Sequence, residues 1–252
     1  MKEAAILPTV VSGYFFPEPV KIDPSASEFY GELLRGMAHK LNNSLAVIQG
    51  FSSLMTMGTS VSSSVKDNVT HVKQAAKSAA LLNDRILLAA GCVRLSPQSL
   101  NLGEYVPMMD RELRQPCEAG GVSFQLNVGS GVPPVLVDST RFKDVLLELL
   151  RNAAEAAQGA LTGGGVALDI LPSGQVAESE PGWVDVFVRN SGSTIPQEKL
   201  AEIFKPFEST KETEHLGIGL TTVRALCSQM GIRVGVKSAN NTTTFWLSLP
   251  KA

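Results

Sequence analysis

LLRGMAHKLNNSLAVIQGFSSLM (33–55) decides how the first third of the chain folds. Its apolar residues Leu34, Met37, Leu41, Leu45, Ile48 and Met55 recur in steps of three and four, with one gap at Ser52. That is the period of a helix with one apolar stripe, and no proline interrupts it between Ser25 and Met57. GTSVSSS (58–64) reads as a polar turn. The stripe resumes at Val69, Val72, Ala76, Ala79, Leu82, Ile86, Ala89 and Val93, and Gly91 and then Pro97 end it. Residues 25–95 therefore read as a long helical hairpin, each arm roughly 45 Å long. A two-helix hairpin cannot enclose its own stripe, so a homodimer that closes a four-helix bundle is expected.

Upstream, residues 1–24 hold Pro8, Pro17, Pro19 and Pro24 and read as an extended arm, packed on its neighbour through Tyr14, Phe15 and Phe16. Glu3 and Pro8 break the mildly apolar start, which argues against a signal peptide. No run of 18 apolar residues offers a transmembrane helix, so no membrane partner is expected. The chain's 22 Lys+Arg against 24 Asp+Glu leave a net charge of -2, which argues against a general nucleic-acid binder. Cys92, Cys117 and Cys227 are odd in number and far apart. They fit neither a disulfide framework nor a zinc site, and they suit a reducing, cytoplasmic setting.

After Pro97 the texture changes to mixed α+β. VSFQLNV (122–128), VLVD (135–138), GGGVALDIL (163–171), WVDVFVRN (183–190), IRVGVKS (232–238) and TTFWLSL (243–249) read as strands. Ser139 to Gln158 reads as a helix with Ser139 as N-cap and Gly159 as its stop. Pro196 to Ile203 reads as a short helix, KPFESTKETEH (205–215) as a polar loop and Gly217 to Met230 as a helix. Helices on one face of a sheet are the expected architecture for 98–252.

Three constellations carry possible chemistry. In MAHKLNNSLAVIQGF (37–51), His39 points away from the stripe, with Asn43 one turn on along the same face. A neutral imidazole is a nitrogen nucleophile, and the amide could orient a water or a phosphoryl oxygen. In LLELLRNAAEAA (146–157), Glu148 and Asn152 share a helical face, and both offer oxygens suited to Mg²⁺. RNSGSTIP (189–196), FKPFESTK (204–211) and LGIGLTTVRAL (216–226) combine a glycine turn, a polar loop and a Gly-x-Gly that opens a helix. Their backbone amides could meet phosphates. Ordinary surface polarity and loop punctuation are the plain alternatives for each segment.

In this order and spacing, the segments resemble the two-component sensor histidine kinases over about residues 27–250. His39 falls at that family's phosphoacceptor, Glu148 and Asn152 at its N box, and Asn190 to Pro196, including Gly192, at its G1 box. Phe204 and Phe207 fall at its F box, and Gly217 and Gly219 at its G2 box. The resemblance implies a dimerisation and histidine phosphotransfer hairpin over 25–95, then a GHKL (Bergerat-type) α/β sandwich over 98–252. It also implies a nucleotide site beside the N box helix, with Asn152 toward the metal and Lys211 in a lid (205–216). The implied partner is a response-regulator receiver domain, with an upstream hybrid kinase as a further candidate.

Departures from the family pattern shape the functional expectation. Lys40 follows the phosphoacceptor where the family carries an acid that takes the imidazole proton, and a lysine is no base. Asn190 replaces the G1 aspartate that binds adenine, and Thr194 replaces a glycine there. HLGIGL (215–220) lacks one further glycine, and so does ANNTTTF (239–245). The expectation is a phosphorelay histidine phosphotransferase with impaired or lost ATP binding, Mg²⁺ entering with the receiver. An active ATP-dependent kinase and a non-catalytic dimeric scaffold are the alternatives. His71 and His215 have no metal-ligand partner at helical spacing and are expected to carry no chemistry.

Overall fold

The computed structural model describes residues 13–18, 24–57, 62–160, 164–176, 179–208 and 217–252. They form two compact units, Lys21–Arg94 on the one hand and Leu95–Ala252 with the N-terminal arm on the other.

The first unit is α1 (Pro24–Met57) packed on α2 (Ser63–Ala89). The expected single stripe divides in two. Gly31, Ala38, Leu45 and Ser52 on α1 and Val69, Ala76 and Asn83 on α2, each series spaced by seven, are buried among the described residues of this hairpin. Three of the four on α1 are small and let the helices approach closely. Met37, Leu41, Ile48 and Met55, expected on the same stripe as Leu45, are instead 42–59% exposed. They lie roughly 60–100° around the helix from the buried line, outside the arc that one neighbouring helix covers.

The second unit begins with β1 (Gln98–Leu100), α3 (Leu102–Met108), α4 (Asp110–Ala119), β2 (Ser123–Val128) and β3 (Val135–Val137). It continues with α5 (Ser139–Gln158), β4 (Gly165–Pro172), β5 (Val184–Ser191), a 3-10 turn Gln197–Lys199, α6 (Gly219–Gln229), β6 (Arg233–Ala239) and β7 (Thr242–Leu249). Five strands form one sheet in the order β2-β4-β5-β7-β6, parallel only between β2 and β4. β1 and β3 pair separately, antiparallel. Helices α4, α5 and α6 pack together beside the sheet, and α5 contacts β4 and β5. Val184, Val186 and Val188 of β5 are fully buried, as are Phe142, Leu146, Leu149 and Leu150 of α5.

The opposite sheet face is buried too. Leu171, Val176, Phe187 and Trp246 cluster there, with Tyr14 of the arm packed against them. Tyr14 and Phe16 approach the Trp246 ring at 5.8 and 5.7 Å, while Phe15 exchanges backbone hydrogen bonds of 2.7 and 2.9 Å with Val236. The arm therefore lies along β6, the edge strand, and Gly235 leaves room for it: a Cβ there would stand 3.0 Å from the Phe16 ring. Buried Asp185 accepts from Trp246 Nε1 at 2.9 Å and from Ser179 Oγ at 2.6 Å, so its charge is solvated by protein donors.

Three local readings change. Asp138, not Ser139, caps α5: its Oδ1 accepts from Arg141 N at 3.0 Å and its Oδ2 from Ser96 N at 2.8 Å. Only Gln197–Lys199 of the expected helix 196–203 is helical, as a 3-10 turn. α3 and α4 were not expected, because each contains a proline, Pro107 and Pro116.

Burial alone would raise the Asp138 carboxyl, but the backbone N–H groups of Ser96, Arg141 and Thr140 outweigh it and hold the pKa below the ordinary carboxylate value. A depressed folded pKa gives stability that is present above the unfolded value of about 4 and lost as pH falls through the folded value. Asp138→Ala is expected to cost about 1–2 kcal/mol at neutral pH, and less as pH falls through the folded value. The difference between the urea midpoints of the two proteins at each pH measures it.

Candidate functional site

On the hairpin, His39 is exposed on α1, with its Nδ1 3.4 Å from the Asn43 amide. Among the described residues no carboxylate hydrogen-bonds the imidazole. Asp84, on the facing helix, instead accepts from Asn42 Nδ2 at 3.3 Å. Lys40 is exposed beside His39. Asn43 Nδ2 faces Nδ1, so in this orientation the amide donates and the ring proton sits on Nε2; turning the amide over would bring Oδ1 to Nδ1–H and free the Nε2 lone pair.

In the second unit the i, i+4, i+8 face of α5 presents Glu148, Asn152 and Ala156. Two glycines crowd this face. A Cβ on Gly219 would stand 3.0 Å from Glu148 Oε2 and 3.8 Å from Asn152 Nδ2. A Cβ on Gly192 would stand 2.5 Å from the Ala156 carbonyl oxygen and 3.3 Å from Asn190 Nδ2. Glu148, Asn152, Asn190, Gly192 and Gly219, scattered over more than seventy positions, thus meet along one helix. Gly217, at φ 63°, passes so near Phe207 and Glu208 that a Cβ would lie 2.7 Å from the Phe207 carbonyl carbon. Phe204 is buried edge-on to Phe245 at 6.3 Å, whereas Phe207 is exposed at φ 65°. Lys211 and His215 lie outside the described residues, and His71 is exposed on α2.

The electrostatics differ between the two ends of this face. Glu148 is largely buried and pairs with Arg151 at 2.6 Å. Asn152 Nδ2 is buried with no hydrogen-bond partner, an unsatisfied donor beside the Glu148 carboxylate. No cluster of three or more His, Cys, Asp or Glu exists among the described residues. A Mg²⁺ here would therefore take Glu148 and Asn152 oxygens and complete its shell with water or phosphate, and the donor set fits that chemistry. At the other end Asn190 is buried and donates from Nδ2 to Ser191 O at 3.1 Å. Thr194 Oγ1 accepts from Asn241 N at 3.1 Å, and Gly192 N donates to Asn241 O at 2.9 Å. These bonds tie the 192–194 segment to the β6–β7 turn, where Asn240 and Asn241 both take positive φ. ANNTTTF is therefore a tight asparagine hairpin turn.

Other features lie apart from these residues. A cleft of about 450 Å³ lined by Phe16, Arg224, Cys227 and Val234 contains none of them. Burial pushes the Cys117 thiol up to about 11 and the Cys227 thiol higher, so neither is a thiolate at neutral pH. No helix among the described residues is long and apolar enough to cross a membrane.

Residues 137–252 match the family described as histidine kinase-, DNA gyrase B- and HSP90-like ATPase. The chain is 29% identical over 231 residues to the sensor kinase CckA of Brucella abortus, covering 88% of this chain and 24% of that one. The chain is similar to sensor and histidine-protein kinases over nearly nine-tenths of its length. It spans about a quarter of the length of the curated relatives it matches first, CckA and the histidine-protein kinase BarA of Escherichia coli. Full-length ShkA in complex with AMPPNP shares the fold at a TM-score of 0.72 and 22% identity, over 88% of this chain and 46% of that one. The histidine kinase ThkA in complex with the response regulator TrrA shares it at 0.55 and 23% identity, over 89% and 63%.

Sequence reasoning missed Asn83, Asn42 and Asp84 beneath His39, and the anchoring of Thr194. Asn83 stands seven residues beyond Ala76, which marks its seam position, but an apolar-stripe search passes over an amide.

Gly192 tests the close approach of strand and helix. Gly192→Ala is expected to destabilise the second unit by about 1–3 kcal/mol, because the Ala156 carbonyl is backbone and cannot turn aside. A urea midpoint equal to that of the unaltered protein would contradict it.

Proposed function

We propose that this histidine kinase relative works as a phosphorelay histidine phosphotransferase, exchanging a phosphoryl group between His39 and the aspartate of a response-regulator receiver domain. The observation that carries the reading is the company His39 keeps: an amide at 3.4 Å, a neighbouring lysine and, among the described residues, no hydrogen-bonded carboxylate. An aspartyl phosphate is a mixed anhydride and already activated. The Nε2 lone pair attacks phosphorus, the P–O bond to the aspartyl carboxylate breaks, the carboxylate leaves, and the Nδ1 proton passes to water. Asn43, with its amide turned so that Oδ1 accepts from Nδ1–H, would hold the reactive tautomer without having to take the proton. Mg²⁺, supplied with the receiver, would neutralise phosphoryl charge there. The complex of ThkA with TrrA supports a receiver partner by analogy of fold.

The ATP-dependent kinase is the second reading, favoured by the convergence of Glu148, Asn152 and Gly219 on one face. The two readings part at the adenine end and at the base. An amide at Asn190 forgoes a charge-assisted bond, worth about 1–2 kcal/mol. The unaltered protein is expected to show no ATP binding by calorimetry up to about millimolar, a free energy weaker than roughly -4 kcal/mol. A labelled phospho-receiver should label His39, and His39→Gln should abolish that label while leaving thermal stability nearly unchanged. Asn190→Asp with Thr194→Gly should restore some ATP binding, and autophosphorylation should need Lys40→Glu as well. Micromolar ATP affinity with label on His39 would favour the kinase.

The homodimer belongs to the same proposal, supported by the exposed apolar row Met37, Leu41, Ile48 and Met55. Ile48→Glu probes it better than Leu45→Glu, since Leu45 lies in the hairpin's own seam at 8% exposure. Sedimentation should show a dimer for the unaltered protein and a folded monomer for Ile48→Glu. A native monomer at micromolar concentration would remove the dimer.

A further inference from the structure

We infer that Asn83 is a positioning residue for His39, fixing from the opposite helix the turn of α1 on which His39 and Asn43 stand. This rests on reading His39 as the phosphoacceptor. Asn83 is buried at 8% exposure, in the series whose other members are Val69 and Ala76. An amide in such a seam forgoes apolar packing and needs partners. It finds them on the His39 turn: Nδ2 donates to Ala38 O at 3.0 Å and to Asn42 Oδ1 at 3.0 Å. Ala38 immediately precedes His39, and Asn42 immediately precedes Asn43. Asn42 then donates from its own Nδ2 to Asp84 Oδ1 at 3.3 Å, next to Asn83 in the chain.

Two constraints follow. The first is register: with Asn83 opposite Ala38 in an antiparallel pair, Ala76 falls opposite Leu45 and Val69 opposite Ser52. A slip of α2 by one heptad keeps the small-residue seam roughly matched, but it carries Asn83 away from its acceptors and leaves a buried amide unpaired. The second is rotation. Around α1, Asn42 lies about 40° and His39 about 100° from Ala38 on the same side, so turning that helix about its axis far enough to move the imidazole breaks both bonds. An apolar side chain at this position would fill the space and supply neither constraint.

The test compares the unaltered protein with Asn83→Leu and Asn43→Ala, using phosphoramidate as a small phosphoryl donor and a phosphorylated receiver as the second. Asn83→Leu is expected to keep or raise the thermal midpoint. Its rate of His39 phosphorylation at saturating donor should still fall about tenfold, with half-saturation unchanged. The ¹⁵N shifts of the His39 ring, which report its tautomer and its contact with Asn43, should move toward those of Asn43→Ala. Unaltered shifts and rate in Asn83→Leu overturn the inference. So does a rate that falls only in step with lost stability while the shifts of the folded protein stay put. If neither donor labels the unaltered protein, the phosphotransfer reading fails, and the ring shifts alone then decide the positioning role. Should the leucine variant not fold, Asn83→Ala takes its place in the same measurements.

Discussion

The second unit depends on helix α5 being buried along one side and crossed at very short range along the other. Phe142, Leu146, Leu149 and Leu150 fix the buried side on the sheet, and the length and start of the helix then determine where Glu148, Asn152 and Ala156 emerge. Asp138 sets that start by capping the first turn while holding the Ser96 amide. The polar side is approached by backbone, because Gly192 and Gly219 are the positions where a side chain would collide. Packing on one side thus creates the geometry on the other, and the loops have little freedom beyond following it.

The hairpin obeys a different economy. Its seam is narrow and made mostly of small residues, so it buries little apolar area per turn, and hydrophobic burial specifies alignment weakly. Hydrogen bonding supplies the specificity that packing lacks, and it does so at the level of the imidazole. The two units therefore order their candidate residues by separate means: steric closeness around α5, and a buried, hydrogen-bonded amide between α1 and α2.

Much of this was legible in the sequence, and the exceptions have identifiable causes. The two long helices, the strands around Val186 and Leu247, and the helix carrying Glu148 and Asn152 follow from periodicity, which burial enforces on both. The division of the α1 stripe into a covered and an uncovered row does not follow, because residues 60° apart on a helix look alike in a linear pattern. α3 was hidden by Pro107, although Asn101 accepts from Gly103 N and donates to Glu104, a local start signal that was readable. Asn83 was hidden because its partners are on another helix. Thr194 looked like an obstruction where a glycine was expected, but the structure gives its hydroxyl a task in holding the Asn241 turn.

The N-terminal arm makes the sheet unit discontinuous in sequence, with the whole hairpin inserted between its two parts. Arg224 Nε donates to Glu18 O at 2.8 Å across a separation of 206 residues, and Phe15 pairs with Val236 in the sixth strand-to-emerge of the sheet unit. During synthesis the arm is therefore made before the hairpin and waits for its partner until the strand that receives it has left the ribosome. Until then Tyr14 and Phe16 are without their site on Trp246, and when β6 does form, its edge is open until the arm returns. Docking of the arm is a late, long-range closure step, and its contribution to folding rate is set by chain connectivity rather than by the strength of the contacts it finally makes.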